Sequence, residues 1–134
     1  MKLKLETEDI RTIALFEKLT KVHAKDCIIT DECVYFLVDE KKVGLAIGKN
    51  GSVAREVRNS LGKPVKIFAY SNDPNELAKN MMPGIKNIEI SNNSMMLSVS
   101  ANDKVAAIGK SGRNIKIMKS MMDRHFGIKN VKVR

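Results

Sequence analysis

The sequence predicts an α+β fold of two tandem units, each ordered αββααβ with a three-stranded mixed sheet covered by helices. Three observations carry this. The hexapeptide Ala46-Ile47-Gly48-Lys49-Asn50-Gly51 returns as Ala107-Ile108-Gly109-Lys110-Ser111-Gly112, 61 positions further on. Around each copy the same order recurs: two short strand-like runs, a few helical residues, the glycine loop, then an amphipathic helix. The only linker-like stretch, Ser71-Asn72-Asp73-Pro74, separates the two and divides the chain into residues 1–71 and 72–134.

In the first unit, Thr7 can cap a helix whose first turn carries Glu8 and Asp9, the sign favoured at the positive end of the helix dipole. Ile10, Ile13, Ala14, Phe16 and Leu19 give that helix an apolar face. Cys27 to Ile29 and Val34 to Val38 are β-branched or aromatic runs flanking Thr30-Asp31-Glu32, which reads as a hairpin. Asp39 to Lys42 is a polar turn, and Val43 to Ile47 a helix of one or two turns. Beyond the loop, Val53, Ala54, Val57 and Leu61 mark the buried face of a helix. Gly62 stands where a helix-ending glycine belongs, Pro64 follows it, and Val65 to Tyr70 is a strand.

The second unit repeats the order. Asn72 or Asp73 caps a helix that starts at Pro74 and stops before Pro83-Gly84. Asn87 to Ile90 and Met95 to Val99 form a hairpin that turns through Asn92-Asn93. Val105 to Ile108 leads into the second loop. The helix after it buries Ile115, Met118, Met122 and Phe126 and closes at Gly127, with His125 at its negative end. Asn130 to Val133 is the last strand.

Charge narrows the partners. The 134 residues carry 24 lysines and arginines against 15 acids, a formal +9. Such an excess suits polyanions, nucleic acid first and an anionic membrane surface second. Residues 1–70 hold 13 basic and 10 acidic side chains and residues 71–134 hold 11 and 5, so the second half is expected to be drawn more strongly to phosphate. Cys27, Cys33, His23 and His125 are the only soft metal ligands, at spacings unlike a zinc knuckle and divided between the repeats, so no metal or other cofactor is expected. Free, partly buried thiols fit a reducing compartment better than a disulfide: Thr30 should pair with Cys33 and Cys27 with Phe36. No stretch approaches the roughly 20 apolar residues of a membrane span, and the chain reads as soluble and cytoplasmic.

The loops are not nucleotide-triphosphate loops. Gly44 and Gly48 enclose three residues where that motif has four, and Asn50 occupies the position of the magnesium-holding hydroxyl. A lone Gly-x-x-Gly is most often a tight turn between helices. Two copies, each with lysine second and each opening a basic helix, point further, because a helix N-terminus offers unpaired N–H groups to a phosphate. The cations recur in register as well: Arg55 and Arg58 match Lys116 and Lys119, each pair three apart on one helix face. A solvated charged face is the plain alternative for these four.

Ile-Gly-Lys-x-Gly within αββααβ resembles the type II KH domain. The run Gly44 to Gly51, then Leu61-Gly62-Lys63-Pro64-Val65 and Tyr70-Ser71-Asn72-Asp73-Pro74, is similar to the archaeal NusA-like transcription factors, a tandem pair of KH domains. That resemblance covers essentially the whole chain. It implies a non-enzymatic factor that binds single-stranded RNA, a nascent transcript, during elongation or termination, with RNA polymerase as a further candidate partner. The segment given lacks the polymerase-binding domain and cold-shock-like barrel of bacterial NusA. A ribosome-associated or RNA-processing tandem KH protein is the second reading. The resemblance assigns RNA contact to Ile47, Gly48, Lys49, Asn50, Gly51, Arg55 and Arg58, and to Ile108, Gly109, Lys110, Ser111, Gly112, Arg113, Lys116 and Lys119. Aromatic residues make up only 4% with no Trp, so the stacking surfaces of other RNA-binding folds are not on offer.

Overall fold

The computed structural model of the chain describes residues 7–109 and 112–134. The described residues form two compact units, one ending at Ser71 and the other running from Asn72 to Arg134. Each holds a three-stranded sheet, and in each the order of elements is αββααβ, as the repeat implies.

The first unit contains α1 (Thr7–Thr20), β1 (Ala24–Ile29), β2 (Val34–Asp39), α2 (Val43–Ile47), α3 (Ser52–Leu61) and β3 (Val65–Tyr70). β2 is the central strand, antiparallel to β1 and parallel to β3. Val34 to Val38 are all buried, the continuous apolar run expected of a strand with two dry faces. The hairpin register places Cys27 opposite Phe36. Thr30 closes the turn: its N–H donates to the Cys33 carbonyl at 2.9 Å, and its hydroxyl donates to the same oxygen at 2.8 Å. Lys63 Nζ donates to the Thr30 carbonyl at 2.9 Å, tying the far end of the crossover to this hairpin. Both cysteines are buried and free.

Parallel pairing of β2 with β3 cannot be made by a hairpin and needs a crossover. Here the crossover is a short 3₁₀ turn (Glu40–Lys42), α2, the glycine loop and α3, so the loop sits midway between two fixed strands. Asp39 caps the turn, its carboxylate accepting from Lys41 N–H at 2.9 Å. Underneath, Phe16 stacks on Phe36 with centroids 4.0 Å apart, within a core that includes Val22, Val38, Ala46 and Val57. Ile13 and Leu19 pack on its edge. The expected face of α1 is too wide: Ile10 is 55% exposed and Ala14 is exposed, because the helix rests on the sheet mainly through its later turns. Thr7 is the first residue of α1, one position later than a cap would sit.

The second unit contains α4 (Pro74–Met81), β4 (Ile85–Ser91), β5 (Ser94–Val99), α5 (Ala101–Ile108), α6 (Arg113–Phe126) and β6 (Asn130–Val133). β5 is central, antiparallel to β4 and parallel to β6. Of the two candidate caps for α4 it is Asp73 that accepts, from Asn75 N–H at 3.0 Å. The core is rich in methionine: Met95, Met118, Met121 and Met122 are buried beside Leu77, Leu97 and Val131. α6 buries Ile117, Met118, Met121 and Met122, whereas Ile115 and Phe126 are only half-buried. The apolar residues of α6 exceed one face, and packing selects the stripe one step away from Ile115. α5 is longer than expected, beginning at Ala101.

A candidate nucleic-acid interface

The glycines that bound the two loops have matching backbone angles. Gly48 has φ 78° and ψ 170° and Gly109 has 79° and 171°; Gly51 has 73° and 17° and Gly112 has 73° and 18°. Their hydrogen bonds match too. Gly48 N–H donates to Gly44 C=O and Gly109 N–H to Val105 C=O, each at 2.9 Å. Gly51 N–H donates to Gly48 C=O and Gly112 N–H to Gly109 C=O, each at 3.1 Å. Sequence drift between the copies has left the bounding glycines in the same conformation.

The four glycines are glycine for different reasons. A Cβ on Gly48 would lie 2.5 Å from Val53 Cγ2 and 2.8 Å from Val53 N, the first turn of α3. On Gly109 it would lie 2.9 Å from Asn114 Cγ and 3.0 Å from Asn114 N, the equivalent turn of α6. The first glycine of each loop thus admits the chain's own helix. Around Gly51 and Gly112 the nearest atoms lie 3.6 and 3.7 Å away, so there the positive φ alone selects glycine. The plain inter-helix-turn reading therefore accounts for Gly48 and Gly109. It does not account for the residues between the glycines.

Lys49 and Asn50 are exposed in the first loop; Lys110 and Ser111, their counterparts, lie outside the described residues. Asn50 is itself left-handed at φ 55° and ψ 28°. The residues before α3 and α6 are Gly51 and Gly112, so no side chain caps either helix; Ser52 N–H donates to the Lys49 carbonyl, and the positive dipole end of each helix stands at the loop. Arg55 and Arg58 are exposed on α3 and Lys116 and Lys119 on α6, while Arg113 is half-buried. Ile47 ends α2 and is 36% exposed, with Leu45 beside it at 54%. Ile108 is half-buried at the end of α5, where Val105 is 81% exposed. Each unit thus assembles a lysine or arginine pair, an uncapped helix end and apolar surface around one loop: the chemistry of a phosphate chain with attached bases.

Sequence reasoning put Val53 on a buried helix face without seeing its approach to Gly48, and missed Asn114. The signal was available, since both stand five residues after the first glycine of their loop, where the next helix makes its first turn. Asn114 also braces its helix, Nδ2 donating to the Ala106 carbonyl at 2.9 Å. Among the described residues no group of three His, Cys, Asp or Glu side chains could hold a metal ion, and no helix is long and apolar enough to cross a membrane.

Comparison with known proteins agrees with this geometry. Residues 10–72 match the KH domain family, and residues 75–134 match the NusA-like second KH domain family. A probable transcription termination protein NusA from Methanococcus vannielii is 34% identical, over 99% of this chain and 80% of its own length. A protein of the same name from Methanocaldococcus jannaschii is 33% identical, over 98% of this chain and 75% of its own length. The crystal structure of APE1850 superposes with a TM-score of 0.81 at 35% identity, covering 97% of this chain and all of that one. The KH and NusA families are not enzyme families.

Proposed function

The chain belongs to the archaeal NusA family of tandem KH proteins, and on that premise we propose that it is an RNA-binding transcription termination factor that holds single-stranded RNA with its two Gly-Lys-x-Gly loops. The observation that supports the finer part is the agreement of the bounding glycines of the two loops to within about a degree, together with the exposed Lys49 and Asn50 of the first loop. A turn serving only to join helices would have no need to keep a lysine in both copies.

KH loops clamp about four nucleotides of backbone. In this reading Lys49 and Lys110 supply charge to the phosphates, and the N-termini of α3 and α6 supply N–H donors. Arg58, Arg113, Lys116 and Lys119 extend the positive face along the following helices. Ile47 and Ile108 offer apolar contact to the bases, whose edges are then read by hydrogen bonds. Two such weak sites on one strand gain avidity of about 10²–10⁴ when both engage. The natural substrate is a nascent transcript, and RNA polymerase is the machine in whose company it would be met.

The test is a termination assay with purified archaeal RNA polymerase. The fraction of released transcript is compared between wild type, Lys49→Asp with Asn50→Asp, and Lys110→Asp with Ser111→Asp. The proposal expects wild type to change termination and each double variant to lose that effect while keeping its melting temperature. Transcript release indifferent to the protein, with co-sedimentation on small ribosomal subunits instead, would move the function to the ribosome.

A further inference from the structure

We propose that Arg55 is a positioning residue: its guanidinium latches the first glycine loop in the shape that meets RNA, and does not itself hold a phosphate. The inference rests on the clamp reading above and deepens it for one side chain. Arg55 Nη1 donates to the Asn50 carbonyl at 2.8 Å, reaching back five residues from α3 to the loop. The same Nη1 lies 3.6 Å from where a Cβ on Gly51 would stand, so the guanidinium lies along the flank of the loop's last residue.

Asn50 is the residue that needs holding. It is a non-glycine in the left-handed region, set between Gly48 and Gly51, which are also at positive φ. Asn is among the few residues with a Cβ that enter this region, as single residues and with a local hydrogen bond to help. Within the turn, Gly51 N–H to Gly48 C=O and Ser52 N–H to Lys49 C=O are backbone ties that leave the Asn50 carbonyl to the Arg55 guanidinium. A guanidinium suits the task because its donors are fixed in one plane.

The second copy carries different side chains at the corresponding positions. The counterpart of Arg55 is Lys116, a single point charge on a flexible stem. There Asn114 ties the first turn of α6 to the Ala106 carbonyl. The counterpart of Asn114 in the first copy is Val53, which has no such donor. Arg55 reaches only the first loop, so its loss should be felt there.

The experiment has two arms, each on the full chain carrying Arg55→Ala or Arg55→Lys. In RNA-free protein, amide hydrogen exchange is read at Asn50 to Ser52 and at Gly112 to Lys116. Labelled single-stranded RNA is then titrated at several salt concentrations, with Lys49→Asp, Asn50→Asp as the reference variant. The latch predicts faster exchange at Asn50 to Ser52 with Gly112 to Lys116 unchanged. It predicts affinity about fivefold weaker in both variants, as expected for one lost hydrogen bond, without rescue by lysine. The salt slope should stay at the wild-type value.

A slope shallower by about 0.7, the release of one phosphate contact on a single strand, with lysine restoring affinity, would make Arg55 an ordinary phosphate ligand and overturn the latch. Unchanged exchange and unchanged affinity would overturn it as well, leaving a solvated side chain. Failure of the clamp reading looks different. The reference variant would then bind as tightly as wild type, which removes any role of Arg55 toward RNA even if exchange at the loop has quickened.

Discussion

A cumulative glycine series separates what the first loop owes to conformation from what it owes to close packing. Gly44 lies in α2 with nothing within 4 Å of an added Cβ, so Gly44→Ala should stabilise by about 0.5–1 kcal/mol through helix propensity. Gly62 has equally open surroundings but φ 72°, so Gly62→Ala isolates the cost of a left-handed alanine, about 1 kcal/mol. Gly48 combines both problems. Its φ and ψ fall where essentially only glycine goes, costing about 1–3 kcal/mol. Its Cβ would also stand 2.8 Å from the backbone nitrogen of Val53, which no rotamer change relieves, adding about 1–3 kcal/mol of overpacking. Gly48→Ala should therefore destabilise by about 3–5 kcal/mol, comparable to the whole stability of a unit this small. The assay is urea unfolding followed by tyrosine fluorescence. The chain has no Trp, and its two tyrosines, Tyr35 and Tyr70, both lie in the first unit, so the signal reports on that unit. The midpoints should fall in the order Gly44→Ala, wild type, Gly62→Ala, Gly48→Ala. If Gly48→Ala costs no more than Gly62→Ala, the close approach of α3 to the loop is wrong.

Other perturbations follow from the packing. Phe16→Ala removes a fully buried ring stacked on Phe36 and should cost about 3–5 kcal/mol, read by the same tyrosine signal. Asp73→Ala removes the cap of α4 and should cost about 1 kcal/mol of the second unit's stability, measured by urea unfolding followed by circular dichroism. Lys129→Ala breaks an ion pair with Asp123 whose two ends are both exposed, and its midpoint should move by less than about 0.5 kcal/mol.

How much of this was legible in the sequence varies with how local the cause is. β3 and β6 run over the expected residues, since each is a short alternating segment bounded by a glycine-ended helix and a polar turn or the end of the run. The Cys27–Phe36 register was legible because a three-residue turn leaves little freedom in pairing. The buried stripe of α6 was legible in part: Met118 and Met122 are buried as expected, while Ile117 and Met121 take the places expected of Ile115 and Phe126. Ile115, Ile117, Met118, Met121 and Met122 offer two apolar faces, and only packing against the sheet chooses between them. Ile10 was misplaced for a related reason: periodicity gives a helix its face but says nothing about where the sheet beneath it ends. In the site, the repeat located both loops, yet the reason for Gly48 and Gly109 lay in a helix turn five residues on. Arg55 on a basic helix face reads the same whether it points to solvent or reaches back to Asn50, so its bond to the loop is a fact of three-dimensional structure alone.

The central claim is that the two loops are RNA clamps, and fluorescence anisotropy tests it most directly. Labelled single-stranded RNA is titrated at several salt concentrations with wild type, Lys49→Asp with Asn50→Asp, and Lys110→Asp with Ser111→Asp, using duplex DNA as competitor. The account predicts that each double variant weakens binding without lowering the melting temperature, that the pair combined nearly abolishes it, and that single strands are preferred over duplex. Binding that follows salt alone and ignores both loops would contradict it, reducing the positive charge to a general attraction for polyanions.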